Sequence, residues 1–155
     1  MPRRIHKIQG ISLGTASSNT RYGRKEDSLL ITLAQESILS GKFTSNKLKA
    51  APVKLAIENL SNSKKAKKVL LINAGNANAA TGPKGLKDVR KYCKEIALDF
   101  KISQENVSPF STGVIGEPLA TENYLNAFRE ASKGLSENKW KKAAEAILTT
   151  DTSRR

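Results

Sequence analysis

The sequence predicts a layered α/β fold built on a mixed sheet, and three observations lead there. Short apolar runs flanked by glycine, proline or asparagine alternate with longer segments of helical period, the pattern of strands joined by helices. Two of the helical segments, 85–100 and 121–133, gather their apolar residues on one face. The first strand-like stretches, within 10–23 and 27–35, have no helical segment between them. A hairpin there adds antiparallel pairing to the parallel pairing of a strand–helix–strand unit. The chain of 155 residues, 38% hydrophobic and 26% charged, reads as one globular domain, 1–155, able to bury a core.

Taken in order, Gly10 to Gly23 mixes apolar residues with glycine and hydroxyls, which predicts a short strand and a surface loop. Residues 27–35 form a continuous apolar run, so this strand is expected to be covered on both faces. Residues 41–53 predict a strand and turn, with Pro52 in the first turn of a helix over 53–60. Ser61 to Lys65 is a polar linker. Val69 to Ile72 then leaves the charged run Lys64–Lys68 as a strand entering the core.

That strand runs into Asn73-Ala-Gly-Asn-Ala-Asn-Ala-Ala-Thr-Gly82, the stretch around which the chain is organised. Asparagine and glycine tolerate positive φ, and asparagine side chains hydrogen-bond their own turn. Two readings stand side by side. Either the small side chains open the main chain to a polar ligand that the amides recognise, or this is only a tight strand-to-helix connection.

The next helix, 85–100, has Leu86, Val89, Cys93, Ile96, Ala97 and Phe100 on one face. Residues 106–119 repeat the earlier design: a strand enters a glycine-punctuated turn, and Pro118 is placed to begin a helix. Thr121 to Lys133 is amphipathic through Leu125, Phe128 and Ala131, with Gly134 as its stop. A last helix over 139–148 spaces Trp140, Ala143, Ala144 and Ile147 to one side.

Several function classes lose ground on composition. No apolar run approaches the ~18 residues of a membrane span, and Met1-Pro-Arg-Arg-Ile-His6 lacks the apolar core of a secretory signal, so the expected location is cytoplasmic. One cysteine, Cys93, allows no internal disulfide and no multi-cysteine metal site, and it reads as a packing residue. The formal charge of +13 raises a non-enzymatic alternative, a basic module that binds nucleic acid or an acidic partner. Against nucleic acid, the lysines are spread along the chain, with modest clusters at 64–68 and 139–142, and no aromatic residues interleave with them to stack bases.

The strongest chemical candidate is Ser111-Thr-Gly-Val-Ile-Gly116, a hydroxyl residue beside glycine where a strand ends. Two main-chain N–H groups, or a hydroxyl with one N–H, can stabilise an oxyanion in acyl transfer. Thr112 or Ser111 as a nucleophile needs an activating base, and His6, the only histidine, lies in a basic N-terminus where it is a poor one. The polar cluster Thr149-Thr-Asp-Thr152 closes the last apolar helix and, taken alone, is a helix end.

In combination these stretches resemble the family of ornithine acetyltransferases, the bifunctional glutamate N-acetyltransferases of arginine biosynthesis. The likeness follows ordered motifs: Thr44-Ser-Asn-Lys-Leu-Lys-Ala-Ala-Pro-Val53, the 73–82 loop, Ser111–Gly116 and Ala146-Ile-Leu-Thr-Thr-Asp-Thr152. The resemblance implies a layered α/β structure with packed sheets, of which this chain is the N-terminal part. It implies a precursor cut by its own chemistry before a threonine that becomes the nucleophile of a second subunit. Acetyl then passes from N-acetylornithine to that threonine and on to glutamate. No cofactor is implied; acetyl-CoA serves as a further donor in some members. Carried over by motif, Thr112 and Gly113 form the oxyanion hole, and Thr150 and Thr152 contact substrate.

Neither the cleavage segment nor the nucleophilic threonine of that pattern is found up to Arg155, and Ser153-Arg-Arg155 does not look like the family's continuation. The expectation is therefore an incomplete N-terminal, alpha-chain part, from a truncated reading or a split enzyme. It would associate with a missing beta chain and be inactive alone.

Overall fold

The structure, a computed structural model, describes residues 5–149. Its order is β1 (Ile11–Ala16), β2 (Ser28–Leu33), α1 (Ala51–Asn62), β3 (Lys68–Asn76), α2 (Gly82–Asp99), a 3-10 turn (Gln104–Asn106), β4 (Val107–Val114), α3 (Thr121–Lys133) and α4 (Trp140–Ala146). The four strands lie in that order in one mixed sheet. β1 and β2 form the expected hairpin, β2 and β3 are antiparallel, and β3 and β4 are parallel across the α2 crossover.

Strand alternation divides the core between two faces. Leu30, Val69, Leu71 and Val107 face helices α1 to α3, where they meet Leu55, Val89, Cys93, Ile96 and Phe128. On the other face Leu13 and Leu29 lie under Ala143, with Ile31, Ile72 and Trp140 packed around them. β2 is thus covered on both sides, as its continuous apolar run requires. Each fully buried leucine or isoleucine here contributes about 1.5–3 kcal/mol by leaving water.

Four sequence expectations change. Residues 41–50 form no strand, because Thr44 and Asn46 accept the N–H groups of Asn46 and Leu48 at 3.1 and 2.9 Å. Local turns of this kind satisfy the backbone without a sheet partner. β3 runs on to Asn76 instead of ending at Ile72, since the small residues 73–76 pair with Ser111–Val114. Pro118 does not open α3, which starts at Thr121. In α4 the buried positions are Ala143 and Ala146, while Ala144 and Ile147 are exposed.

The basic run 64–68 is also less of a surface than its sequence suggests. Lys68 is fully buried, with its ammonium donating to Asn106 Oδ1 at 2.7 Å and to Ser63 and Lys64, and burial pulls its pKa below the usual lysine range. Lys65 pairs with Glu36 at 2.6 Å, and Lys67 lies 5.0 Å from the centre of the Phe100 ring.

Candidate active site

The parallel pair β3–β4 ends in two glycines set opposite each other. Asn73, Ala74, Gly75 and Asn76 are in register with Ser111, Thr112, Gly113 and Val114. Gly75 has φ +104° and Gly113 φ +133°, a region L side chains rarely enter. A Cβ on Gly113 would stand 2.3 Å from the carbonyl carbon of Gly75 and 2.6 Å from the nitrogen of Asn76. Only glycine lets the two backbones approach so closely. On its far side Gly75 meets Tyr22 and Arg21, so loop 20–22 backs the contact.

The asparagines of the 73–82 loop hold this geometry together. Asn73, fully buried, accepts from Ser111 Oγ at 2.6 Å and donates to the Asn76 carbonyl at 2.7 Å. Asn76 donates to the carbonyls of Glu117 and Pro118, both at 3.1 Å, and accepts the Asn78 N–H at 2.7 Å. Asn78, also buried, donates to the Gly85 carbonyl, while its Oδ1 accepts from Thr81 and its main-chain carbonyl accepts the Ala51 N–H. Val114 O accepts from Ala77, and Ala79 O from Gly116, at 2.9 and 2.8 Å. Of the two sequence readings, the tight connection describes these amides: they stitch loop to loop and are not left open for a ligand.

Thr112 and Gly113 come to the exposed surface at the end of this frame, adjacent in β4 as expected. The Thr112 hydroxyl makes no side-chain hydrogen bond among the described residues. β4 is one of the two edge strands, and at its start Asn59 of α1 donates to Val107 O at 2.7 Å on the side away from β3. By strand alternation Pro109 shows the same free edge, the side on which a residue without an N–H costs no ladder bond.

Beneath the strand ends lie two tyrosines that sequence reasoning missed as part of the site. Tyr124 donates to Ala74 O at 3.0 Å, directly behind the partner of Thr112, and burial raises its pKa. Tyr92 is fully buried beside Ser111, and burial pushes its pKa well up against the smaller opposing effect of the Ser111 hydroxyl. Their only signal in the sequence is helical spacing, which marks core and says nothing of a polar tip. Cys93 is fully buried and its thiol is pushed well up by desolvation, as a packing residue should be.

Among the described residues no side chain that could act as a base hydrogen-bonds Thr112. His6 is exposed in the N-terminal segment. Among the described residues there is no cluster of three or more metal-ligating side chains, and no helix is long and apolar enough to cross a membrane. Thr150 and Thr152 lie outside the described residues.

The same architecture occurs in solved structures. The Arginine biosynthesis bifunctional protein argJ of Bacillus halodurans superposes with a TM-score of 0.84 at 30% identity, covering 94% of this chain and 75% of that one. The ornithine acetyltransferase of Mycobacterium tuberculosis, solved in complex with ornithine, gives 0.85 at 25% identity over 94% and 78%. In sequence the chain is 44% identical over 149 residues to the Arginine biosynthesis bifunctional protein ArgJ of Methylococcus capsulatus, and 40% over 148 residues to that of Pseudomonas fluorescens. Each match covers 96% of this chain and 36% of the relative, so the chain spans about a third of the length of these curated relatives. With the ArgJ family model matching residues 12–155, which take in the paired glycines and every motif around them, the chain belongs to the ArgJ family.

Proposed function

We propose that this chain supplies the oxyanion-stabilising half of an acetyl-transfer site that moves acetyl from N-acetylornithine to glutamate in arginine biosynthesis. The observation that carries the reading is the unengaged Thr112 hydroxyl beside Gly113, fixed where two strand ends are pressed together. A threonine on a partner chain attacks the acetyl carbonyl, and the carbonyl oxygen takes up the negative charge between Thr112 Oγ1 and the Gly113 N–H. The threonine proton passes to the departing ornithine amine as the C–N bond breaks. Glutamate's amine then attacks the acetyl ester through a second oxyanion in the same hole, and the threonine oxygen recovers a proton. Each donor contributes about 3–4 kcal/mol to such a transition state. The relatives' names and the ornithine bound to the M. tuberculosis protein support this substrate class.

A partner-supplied nucleophile fits a Thr112 that has no base beside it among the described residues, because a hydroxyl without one is a weak nucleophile. Thr150 and Thr152 are assigned to substrate contact by motif, and acetyl-CoA to the role of a second donor. The decisive experiment follows ornithine release from N-acetylornithine and glutamate, with the chain alone and together with a nucleophile-bearing ArgJ partner chain. No turnover alone and turnover together is the expected result. An acetyl adduct on this chain alone would overturn the division of labour.

A further inference from the structure

Where β3 outlasts its neighbour, a side chain takes over from a strand. β2 pairs with β3 only as far as Ser28 against Asn73, and just beyond that pair the Ala74 N–H donates to Asp27 O at 2.8 Å. The Ala74 carbonyl, on the same side of β3, has no strand left to meet. Tyr124 of α3 supplies the missing donor: its buried hydroxyl reaches Ala74 O at 3.0 Å. The hydroxyl is itself held in place. Thr20 Oγ1 stands 3.4 Å from the tyrosine oxygen and 2.7 Å from Ser18 Oγ, and Ser18 donates to the buried Asp27 carboxylate at 2.6 Å. Burial, with the Asp27 charge adding to it, holds the Tyr124 pKa above the usual tyrosine range, so the group is a neutral donor at pH 7.

The other end of the Ala74–Gly75 peptide faces β4. Ala77 N–H donates to Val114 O at 2.9 Å, and Val114 is the partner of Asn76, so in this ladder a β4 carbonyl accepts from the residue after its own partner. Two residues earlier in the same period stands Thr112, the partner of Ala74, whose carbonyl accepts from the Gly75 N–H. The alternate residues of β4 turn their main-chain groups to the free edge, where Asn59 meets Val107 O, and Gly113 is one of them. Two peptides therefore lie in series. Tyr124 donates to the carbonyl of Ala74–Gly75, the N–H of that peptide donates to the carbonyl of Thr112–Gly113, and the Gly113 N–H is left facing the free edge. Hydrogen bonds in series polarise one another, so a donor at one end strengthens the N–H at the other. We infer that Tyr124 is a positioning residue for acetyl transfer, which aims and polarises the Gly113 N–H through the Ala74–Gly75 peptide. The inference rests on the proposed place of Gly113 in the oxyanion hole and adds the group that sets the direction and strength of that donor.

The test joins kinetics of the chain assembled with its nucleophile-bearing ArgJ partner to amide spectra of the isotopically labelled chain. Tyr124→Phe removes the hydroxyl and little else. It should lower kcat by about threefold to tenfold with KM unchanged, a smaller loss than that of Thr112→Ala because a donor is weakened and none is removed. In the spectra the amide protons of Gly75 and Gly113 should move upfield together. Placing 3-fluorotyrosine at position 124 keeps the ring and makes the hydroxyl more acidic, hence a stronger donor, and should restore both kcat and the two amide shifts. Phe128→Leu, one turn further along the buried face of α3, loosens the core without touching Ala74 and should lower the melting temperature while leaving kcat as in the parent. A loss of kcat there equal to that of Tyr124→Phe would reduce the effect to general loosening and overturn the inference. Where Thr112→Ala lowers turnover but Tyr124→Phe leaves kcat and the Gly113 amide unmoved, the hole stands and the Tyr124 role is overturned alone. Where Thr112→Ala loses nothing, the oxyanion hole itself fails and the positioning role falls with it, whatever the amide shifts show.

Discussion

Thr112 and Gly113 stand next to each other and should respond to substitution in opposite ways. Thr112 is exposed and unengaged, so Thr112→Ala should leave stability within about 0.5 kcal/mol of the parent. In the assembly with its nucleophile-bearing partner it should lower turnover by about a hundredfold or more with little change in KM, because an oxyanion donor acts on the transition state. Unchanged turnover would remove Thr112 from the hole. Gly113→Ala should instead damage the fold locally, since its Cβ would collide with Gly75 and its φ of +133° is closed to alanine. Amide shifts across 73–76 and 111–114 would report it, and a spectrum unchanged there would contradict the close contact. Cys93 and Tyr92 set a pH dependence at the same scale. Burial raises both folded pKa values, so the neutral forms favour the native state fully below the unfolded pKa values of about 8.5 and 10. That stability drains away as pH rises through those values toward the folded ones. Cys93→Ala should lower the melting temperature at pH 7 and flatten its decline between pH 8 and 10; an equally steep decline in the variant would place the thiol outside the core.

At the scale of elements, side-chain amides do work that regular structure leaves undone. Asn59 of α1 satisfies the Val107 carbonyl at the free edge of β4, and Asn59→Leu should leave that oxygen buried and unpaired at a cost of about 1–3 kcal/mol. Urea unfolding would measure it, and a neutral result would mean that water replaces the amide. This scale also shows how far the sequence could be read. Periodicity located α2 and α3 because their apolar stripes repeat over several turns, and Gly134 stopped α3 as expected. It missed the extension of β3 through Asn76, whose pairing depends on a strand 38 residues away and on no local signal. The strand expected within 41–53 failed for the converse reason: Thr44 and Asn46 had already closed their own turns. The motif singles out Thr112 and Gly113 as candidates, whereas the Tyr124 contact behind them depends on tertiary placement.

For the molecule as a whole, the charge of +13 is the term that solution conditions can reach. Several ion pairs on the surface, such as Arg90–Glu58 and Arg129–Asp99, are half-exposed and contribute little each, whereas repulsion among the excess lysines acts on the entire fold. Screening should therefore favour the native state. The melting temperature should rise by a few degrees between 10 and 300 mM sodium chloride, as the Debye length falls from ~30 Å toward ~6 Å. A fall would mean that the pairs outweigh the repulsion and that the charge is locally compensated.

The contact between Gly75 and Gly113 also bears on the order in which the molecule assembles. A parallel pair cannot form until the connecting helix has folded back across the sheet, and loop closure delays contacts between residues far apart in sequence. The β1–β2 hairpin requires no such closure. During refolding, the amides of 111–114 should acquire protection from hydrogen exchange after those of 11–16 and 28–33, together with those of α2. A chain emerging from the ribosome would then be compact while the joined ends of β3 and β4 are still the last part to take shape.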